Sequence, residues 1–330
     1  MNRRLILASI AAVGALTTMA TARAEAAFPQ KPITFVVPYL AGGTTDLVAR
    51  VVGEHMARTL GQAVVIENKP GAGGNIGMDV VAKSKPDGYT IGFGAISTNA
   101  LNPHIYKSMA FDPRKDFTAV SMLGYSTIVL EVGKSFPANN VQELIAYIKA
   151  NPGFQYGTAG AGTSMHLAGV MFAQMTGLDT VHVPYKGSVP GITDMLGGHL
   201  PAMLDNLPAS LPHIQAGKLK ALAVAGSERS PSLPNVPTIA ESGLKGYAVD
   251  PWFGVYGPAK LDPAITAKLN TAINQALSDP AVKDKLAAIG NYGKIDAHIR
   301  PEQVLKQAKW GIAIDEWSRV LTPQRQVLRG

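Results

Sequence analysis

Two distant stretches of the chain carry the same hydrophobic rhythm. Ile33-Thr34-Phe35-Val36-Val37 is an apolar run of strand length, and beyond it the pattern changes to a four-residue repeat through Val48, Val52, Met56 and Leu60. Such a change predicts a buried strand feeding an amphipathic helix. A Gly/Thr loop from Pro38 to Thr45 joins the two, and Gly61 stands where a helix C-terminus favours left-handed backbone. Much later Phe154-Gln155-Tyr156 reads as a short strand, and Gly157 to Ser164 form a second Gly/Thr/Ser loop. Leu167, Met171 and Met175 then repeat the four-residue spacing, and Gly177 closes the helix as Gly61 closed the first.

The parallel continues in both copies. Strand Val64-Val65-Ile66 leads into Gly71-Ala72-Gly73-Gly74-Asn75-Ile76-Gly77, as Val181-His182-Val183 leads towards Gly187 and Gly191. A third strand follows at Tyr89 to Phe93 in one copy and at Pro201 to Leu204 in the other, where it runs into Asp205-Asn206. Each copy is thus a β-α-β-α-β unit, which predicts a parallel sheet covered by helices. Further strands are expected at Ala119–Leu123, Ile128–Val132, Leu219–Val224 and Trp252–Tyr256. Ile128–Val132 and Trp252–Tyr256 are read as paired crossings between two Rossmann-like α/β lobes. One lobe then comprises residues 27–127 and 252–330, and the other 128–251. Helices follow the return: one capped by Asp262 with Pro263 behind it and Ile265, Leu269, Ile273 and Leu277 inward, one from Asp279-Pro280 to Gly290, and one from Pro301 onward. Two crossings make a hinge, and a hinge lets lobes open and close on a ligand.

Composition narrows the setting. Arg3 and Arg4 precede an apolar run from Leu5 to about Met19, diluted by Gly14, Thr17 and Thr18 and followed by small residues. This is the layout of a secretory signal peptide over residues 1–26, cleaved after Ala24 or Ala26, and is short for a spanning helix. Export implies a periplasmic protein. Removing the segment takes three Arg and one Glu from the 30 basic and 23 acidic residues, leaving +5. The basic residues are scattered with no nucleic-acid-type cluster, so no nucleic-acid partner is expected and the balance suits small anions. The absence of Cys excludes disulfides, thiolate metal sites and Cys nucleophiles.

Open α/β sheets bind ligands where strand C-termini meet helix N-termini. The two first loops occupy that place, with Gly42, Gly43, Gly160 and Gly162 permitting close approach and Thr44, Thr45, Thr163 and Ser164 adding hydroxyls. Each is expected to present unpaired backbone N–H groups to an anion. A helix terminus contributes ~0.3–1 kcal/mol and a hydrogen bond to a charged group about 1.5–3 kcal/mol. Two loops together can approach the ~8 kcal/mol of micromolar binding, and one alone falls short. Asp46 in a first helical turn complements the dipole and orders its loop rather than meeting a carboxylate. Tyr39 is placed to line the cleft, Lys186 beside Gly187 to pair with a distal acid, and Asp205-Asn206 to accept from a ligand amino or hydroxyl group.

Longer motifs add a family. Tyr39-Leu40-Ala41-Gly42-Gly43-Thr44-Thr45-Asp46 with Ala49-Arg50, Val65 to Gly77, Pro86-Asp87-Gly88-Tyr89-Thr90, Tyr156 to Gly160 with Ser164 and His166, Val183 to Gly187, Asp205-Asn206 and Pro234 to Thr238 span essentially the whole mature chain. Together they resemble the Bug family of substrate receptors for tripartite tricarboxylate transporters. The resemblance implies a type II periplasmic binding protein fold, a Venus flytrap of two lobes, with no cofactor and a monomeric state. It also implies a ligand carboxylate gripped between the first loops, with ordered waters on the lobe-one side. Residue by residue it points to Tyr39, Ala41, Gly42, Gly43 and Thr44 in one lobe and Thr158, Ala159, Gly162, Thr163 and Ser164 in the other. Ser97 and Asp205 would line the far end, with Asp46, His166 and Lys186 behind. Family ligands range over amino acids, di- and tricarboxylates and aromatic acids, and the partners are the transporter's membrane subunits.

Other classes fare worse. Gly71, Gly73 and Gly77 follow a second strand, and the G-x-G-x-x-G spacing fails at Ile76, which argues against an NAD-dependent oxidoreductase. Gly162-Thr163-Ser164-Met165-His166 lacks the second Gly of a nucleophile elbow. The seven His show no metal-ligand spacing. Presentation of the ligand to a sensor kinase instead of a transporter stays open at the level of sequence.

Overall fold

The computed structural model describes residues 28–289. The expected signal peptide over 1–26 and the helix from Pro301 onward lie outside the described residues. The first repeat folds as β1 (Ile33–Val37), α1 (Thr44–Leu60), β2 (Val64–Asn68), α2 (Asn75–Ala82) and β3 (Thr90–Ala95). After a short π turn at Ser97–Leu101 come α3 (Asn102–Ile105), β4 (Phe117–Tyr125), β5 (Ile128–Gly133) and α4 (Val141–Ala150). The second repeat is β6 (Phe154–Thr158), α5 (Ser164–Thr176), β7 (Thr180–Pro184), α6 (Ser188–Leu196) and β8 (Ala202–Asn206). Then follow α7 (Leu207–Gln215), β9 (Leu219–Val224), β10 (Trp252–Pro258), α8 (Pro263–Ser278) and α9 (Pro280–Ala288).

Local chemistry accounts for these boundaries. Gly61 and Gly177 end α1 and α5 with φ of 67° and 66°, a backbone region that costs a residue with a Cβ about 1 kcal/mol or more. Asp262 caps α8 by accepting from the amides of Ala264 and Ile265, and Asp279 caps α9 by accepting from Ala281 and Val282. In α1 the residues Val48, Val52 and Met56 are wholly buried, each contributing roughly 1.5–3 kcal/mol. They share one core cluster with β1, β3 and the inward side of α8, where Leu269, Ile273 and Leu277 lie. The same spacing on α5 does not mark one buried face. Leu167 is buried but Met175 is 43% exposed, because the first two turns of α5 are covered on every side and carry no single inward face.

The strands form two five-stranded sheets, ordered β2-β1-β3-β10-β4 and β7-β6-β8-β5-β9. The expectation of parallel sheets needs correcting. In each sheet one strand, β10 or β5, runs antiparallel to its neighbours. That strand is the one whose chain has just arrived from the other sheet, so it enters from the opposite end and can only run backwards. Neither β5 nor β10 spans the lobes itself. The crossings are the segments immediately before them, at Ser126-Thr127 and at the approach to Pro251, and they are bonded together by Ser126 N donating to Pro251 O at 2.9 Å.

Replacing Asp262 with Ala removes the α8 cap and is expected to lower the unfolding free energy by about 1 kcal/mol in urea denaturation. An unchanged midpoint would show that this helix start contributes nothing.

Candidate functional site

Both repeats deliver a helix N-terminus to the end of a first strand, and the two termini meet across one cavity. At the first, no side chain caps α1 at Gly43. The amides of Thr44, Thr45 and Asp46 therefore have no partner within the helix. The one carboxylate of the first turn does not serve them either. Asp46, only 2% exposed, accepts from Gly42 N, from Asn68 Nδ2 and from both Nε and Nη2 of Arg50 at 2.9–3.0 Å. Burial pushes its carboxyl up, but the bonds from Arg50, Gly42 and Asn68 with the Arg50 charge outweigh that and hold it below the usual carboxylate range. Asn68 also donates to Tyr39 O, so β2 holds both sides of the loop. Tyr39 reaches Gly73 O with its hydroxyl, and burial pushes the phenol up to about 12, which keeps it neutral.

The second entrance is built differently. Thr163 caps α5, its hydroxyl accepting from His166 N and donating to Gly160 O. Gly162 N donates to His166 Nδ1, and Gly160 N to Thr158 Oγ1. Thr158 Oγ1 in turn meets His182 Nε2 at 2.7 Å, and His182 stacks on His166 with ring centroids 4.1 Å apart. Burial and then the neighbouring His166 push His182 down to about 3, so it stays neutral. The loop expected to offer unpaired amides thus satisfies several of them itself, which corrects the picture of two equivalent donor sets. What it turns to the cleft is the first turn of α5, where Ser164 N donates to Ser97 Oγ of the opposite lobe at 3.1 Å.

The cavity between the entrances is about 30 Å³ and is walled by Gly43, Thr44, Thr45, Tyr39 and Ser97 on one side and Ala159, Thr163, Ser164, Gly187, Ser188 and Asn206 on the other. None of its lining residues is Lys, Arg or His. Any anion there is held by amides, hydroxyls and helix dipoles alone. A larger space of about 230 Å³ adjoins it, sharing Tyr39 and Ala159 and bounded by Gly71 to Gly74, Tyr106, Tyr185 and Lys186. The lobes are in contact around both. Tyr106 Oη donates to Ala161 O at 3.2 Å, and a Cβ at Gly162 would come within 2.8 Å of Asn102 Oδ1 and of the Tyr106 ring.

Of the residues singled out from sequence, Tyr39, Gly43, Thr44, Ser97, Ala159, Thr163 and Ser164 are brought together at the smaller cavity. Ala41 and Gly42 lie on the exposed side of their loop. Thr158 points into its own loop, and Gly162 faces Asn102 and Tyr106. Asp205 is wholly buried behind the wall, with Ser188 Oγ donating to its Oδ1 at 2.7 Å, so Ser188 and Asn206 line the cavity in its stead. His166 stands behind the second loop and Lys186 at the larger space. Sequence reasoning missed Ser188 and Phe253. The Gly187-Ser188 pair before a helix was an available signal for Ser188; Phe253 came from a strand assigned only to crossing.

A fold of two such lobes closing on a cleft defines a periplasmic binding protein of the type II class. The chain belongs to the tripartite tricarboxylate transporter family of receptors, whose model matches residues 48–306. Protein BugT of Bordetella pertussis is 39% identical over 292 residues, covering 88% of this chain and 90% of that protein. The solved periplasmic binding protein BugD superposes with a TM-score of 0.84 at 34% identity, covering 90% of this chain and 98% of BugD. R. palustris Rpa4515, solved with adipate, gives 0.84 at 36% identity over 89% of this chain and 97% of that one.

Asp46→Ala leaves Gly42 N and the Arg50 fork without their acceptor and is expected to cost about 1–3 kcal/mol of stability at pH 7. Because the folded carboxyl titrates below its unfolded value of about 3.9, its contribution is complete above that value and is lost as pH falls through the folded pKa. Urea unfolding of variant and wild type should therefore converge in acid; a gap that persists there would contradict the assignment.

Proposed function

We propose that this chain is an exported, periplasmic solute receptor that closes two lobes on a small organic carboxylate and delivers it to the membrane subunits of a tripartite tricarboxylate-type transporter. The lobes are residues 27–127 with 252–330, and residues 128–251, and they hinge about the bonded pair of crossings at Ser126 and Pro251. The receptor works as a monomer and performs no catalysis. Tyr39, Gly43, Thr44, Ser97, Ala159, Thr163 and Ser164 form the carboxylate seat, with Lys186 at the far side of the adjoining space. The observation that carries this reading is the bond from the first amide of α5 to Ser97 in the opposite lobe. It places a donor of one lobe against an oxygen of the other at the point where both helix termini converge.

A carboxylate oxygen is a better acceptor than a serine hydroxyl, since bonds to charged groups are worth about 1.5–3 kcal/mol against ~1 for neutral pairs. Insertion of a ligand carboxylate there joins the lobes more strongly than they join each other. Membership of the family and the adipate held by Rpa4515 support a carboxylate as guest. The cavity and the adjoining space share two wall residues, which suits an acid whose remainder extends past Tyr39 and Ala159.

The test is a thermal-shift screen of residues 27–330 against a panel including adipate, succinate and malate. A ligand at a hundred times its Kd stabilises the folded form by about 2.7 kcal/mol, or several degrees in Tm. Gly162→Val places methyl groups against Asn102 and Tyr106 and is expected to abolish the ligand shift by blocking closure. Failure of every carboxylate to raise Tm, or an undiminished shift in the variant, would contradict the proposal.

A further inference from the structure

Two carboxyl groups lie inside the second sheet. Glu131 on β5 and Asp205 on β8 are both at zero exposure. The antiparallel register sets Glu131 opposite Met203 and Val129 opposite Asp205, so the two acids are diagonal neighbours on one face of the sheet. Glu131 Oε1 accepts from Ser210 and Asp205 Oδ1 from Ser188, while Oε2 of the one and Oδ2 of the other are buried without a hydrogen-bond partner. The other titratable groups on elements packed against β8 are Tyr156 on β6, His166 on α5, Asp194 on α6 and His213 on α7. Asp194 is engaged by the Tyr185 hydroxyl and His166 by Gly162. Among the described residues Asp205 forms no ion pair, and its bonds come from Ser188 and the Asn206 amide.

A carboxylate buried with so few donors is costly, and a proton relieves the cost. Burial pushes Asp205 up to about 7 against the pull of Ser188 and Asn206. It pushes Glu131 well above the carboxylate range against Ser210, with Asp205 adding to the rise. Ser188 connects this pair to the ligand cavity. It is the first residue of α6, it lines the cavity, and its Oγ faces Gly43 of the other lobe, 4.0 Å from where a Cβ there would lie.

A serine hydroxyl has a single proton to give. With Asp205 ionised, Ser188 donates it inward and turns only lone pairs to the cavity, which repel a carboxylate oxygen. Once Asp205 takes a proton from solvent on Oδ1, it donates to Ser188 Oγ, and the serine hydrogen is released towards the cavity. We propose that Asp205, a positioning residue acting through Ser188, takes up one proton as an anionic ligand binds. The receptor then captures carboxylate and proton together and disfavours acids that bring an ammonium group to Ser188. This rests on the carboxylate-receptor reading.

The experiment is calorimetry of adipate binding to residues 27–330 from pH 6 to 8, with a parallel ¹³C NMR titration of the Asp205 carboxyl in ligand-free protein. Affinity should fall about tenfold over that range in the wild type, by linkage to one proton, and Asp205→Asn should flatten the profile to within about twofold. Ser188→Ala should reduce the change to about threefold or less, and serves if the Asn variant does not fold. A wild-type profile that is flat or rises with pH, or either variant keeping the full slope, would overturn the inference. So would a ligand-free Asp205 midpoint above about 8, which leaves no proton to take up on binding, a readout that needs no ligand. A midpoint at or below about 8, with no carboxylate binding at any pH, sinks the receptor reading and takes the coupling with it.

Discussion

Everything about this molecule turns on three amides at the start of α1 that their own loop does not cap. Gly43, at the capping position, has no side chain to serve them, and the Asp46 carboxylate in the first turn is taken up by Arg50, Gly42 and Asn68. The helix therefore presents its positive end to the cavity, and the acid that orders the loop does not compete for the guest. Asp46 lies beyond the first turn's open side and is charge-balanced by Arg50. Its cost to a nearby anion is thereby reduced, since the pair presents little net charge.

The opposite lobe answers with an unequal partner. Its loop spends its donors on Thr158, Thr163 and His166, and gains rigidity from the stacked imidazoles behind it. The first lobe thus presents uncapped amides, while the second satisfies most of its loop donors internally and turns the first turn of α5 to the cleft. Neutral His182 and neutral Tyr39 keep the surroundings of the seat uncharged across ordinary pH. Asp205 on β8 lies behind the wall, separated from the cavity by the Ser188 hydroxyl.

Much of this was legible in the sequence because it is local. The apolar runs at Ile33 and Leu219, the helix ends at Gly61 and Gly177, and the Asp-Pro starts at Asp262 and Asp279 all follow from short-range chemistry, and the structure has them at those residues. Strand direction is not local. Nothing in the periodicity of Trp252–Tyr256 says that it runs against β3, because alternation reads the same in either direction. The spacing through Leu167, Met171 and Met175 fixes no face for a related reason: a helix start buried all round leaves no polar side to set the phase, and Met175 lies outward. At the site, residues on the two first loops were found through the repeat. Ser188 and Phe253 reach the same cavity from a second helix and a returning strand, and only tertiary packing brings them there.

The central claim is that the amides opening α1 and α5 converge on one carboxylate. Amide proton shifts in ¹H–¹⁵N NMR test it most directly during titration of residues 27–330 with a carboxylate. The account predicts that Thr44, Thr45, Ser164 and Met165 move downfield together and saturate at one common concentration. Saturable binding that leaves the amides of either helix start unmoved would contradict it.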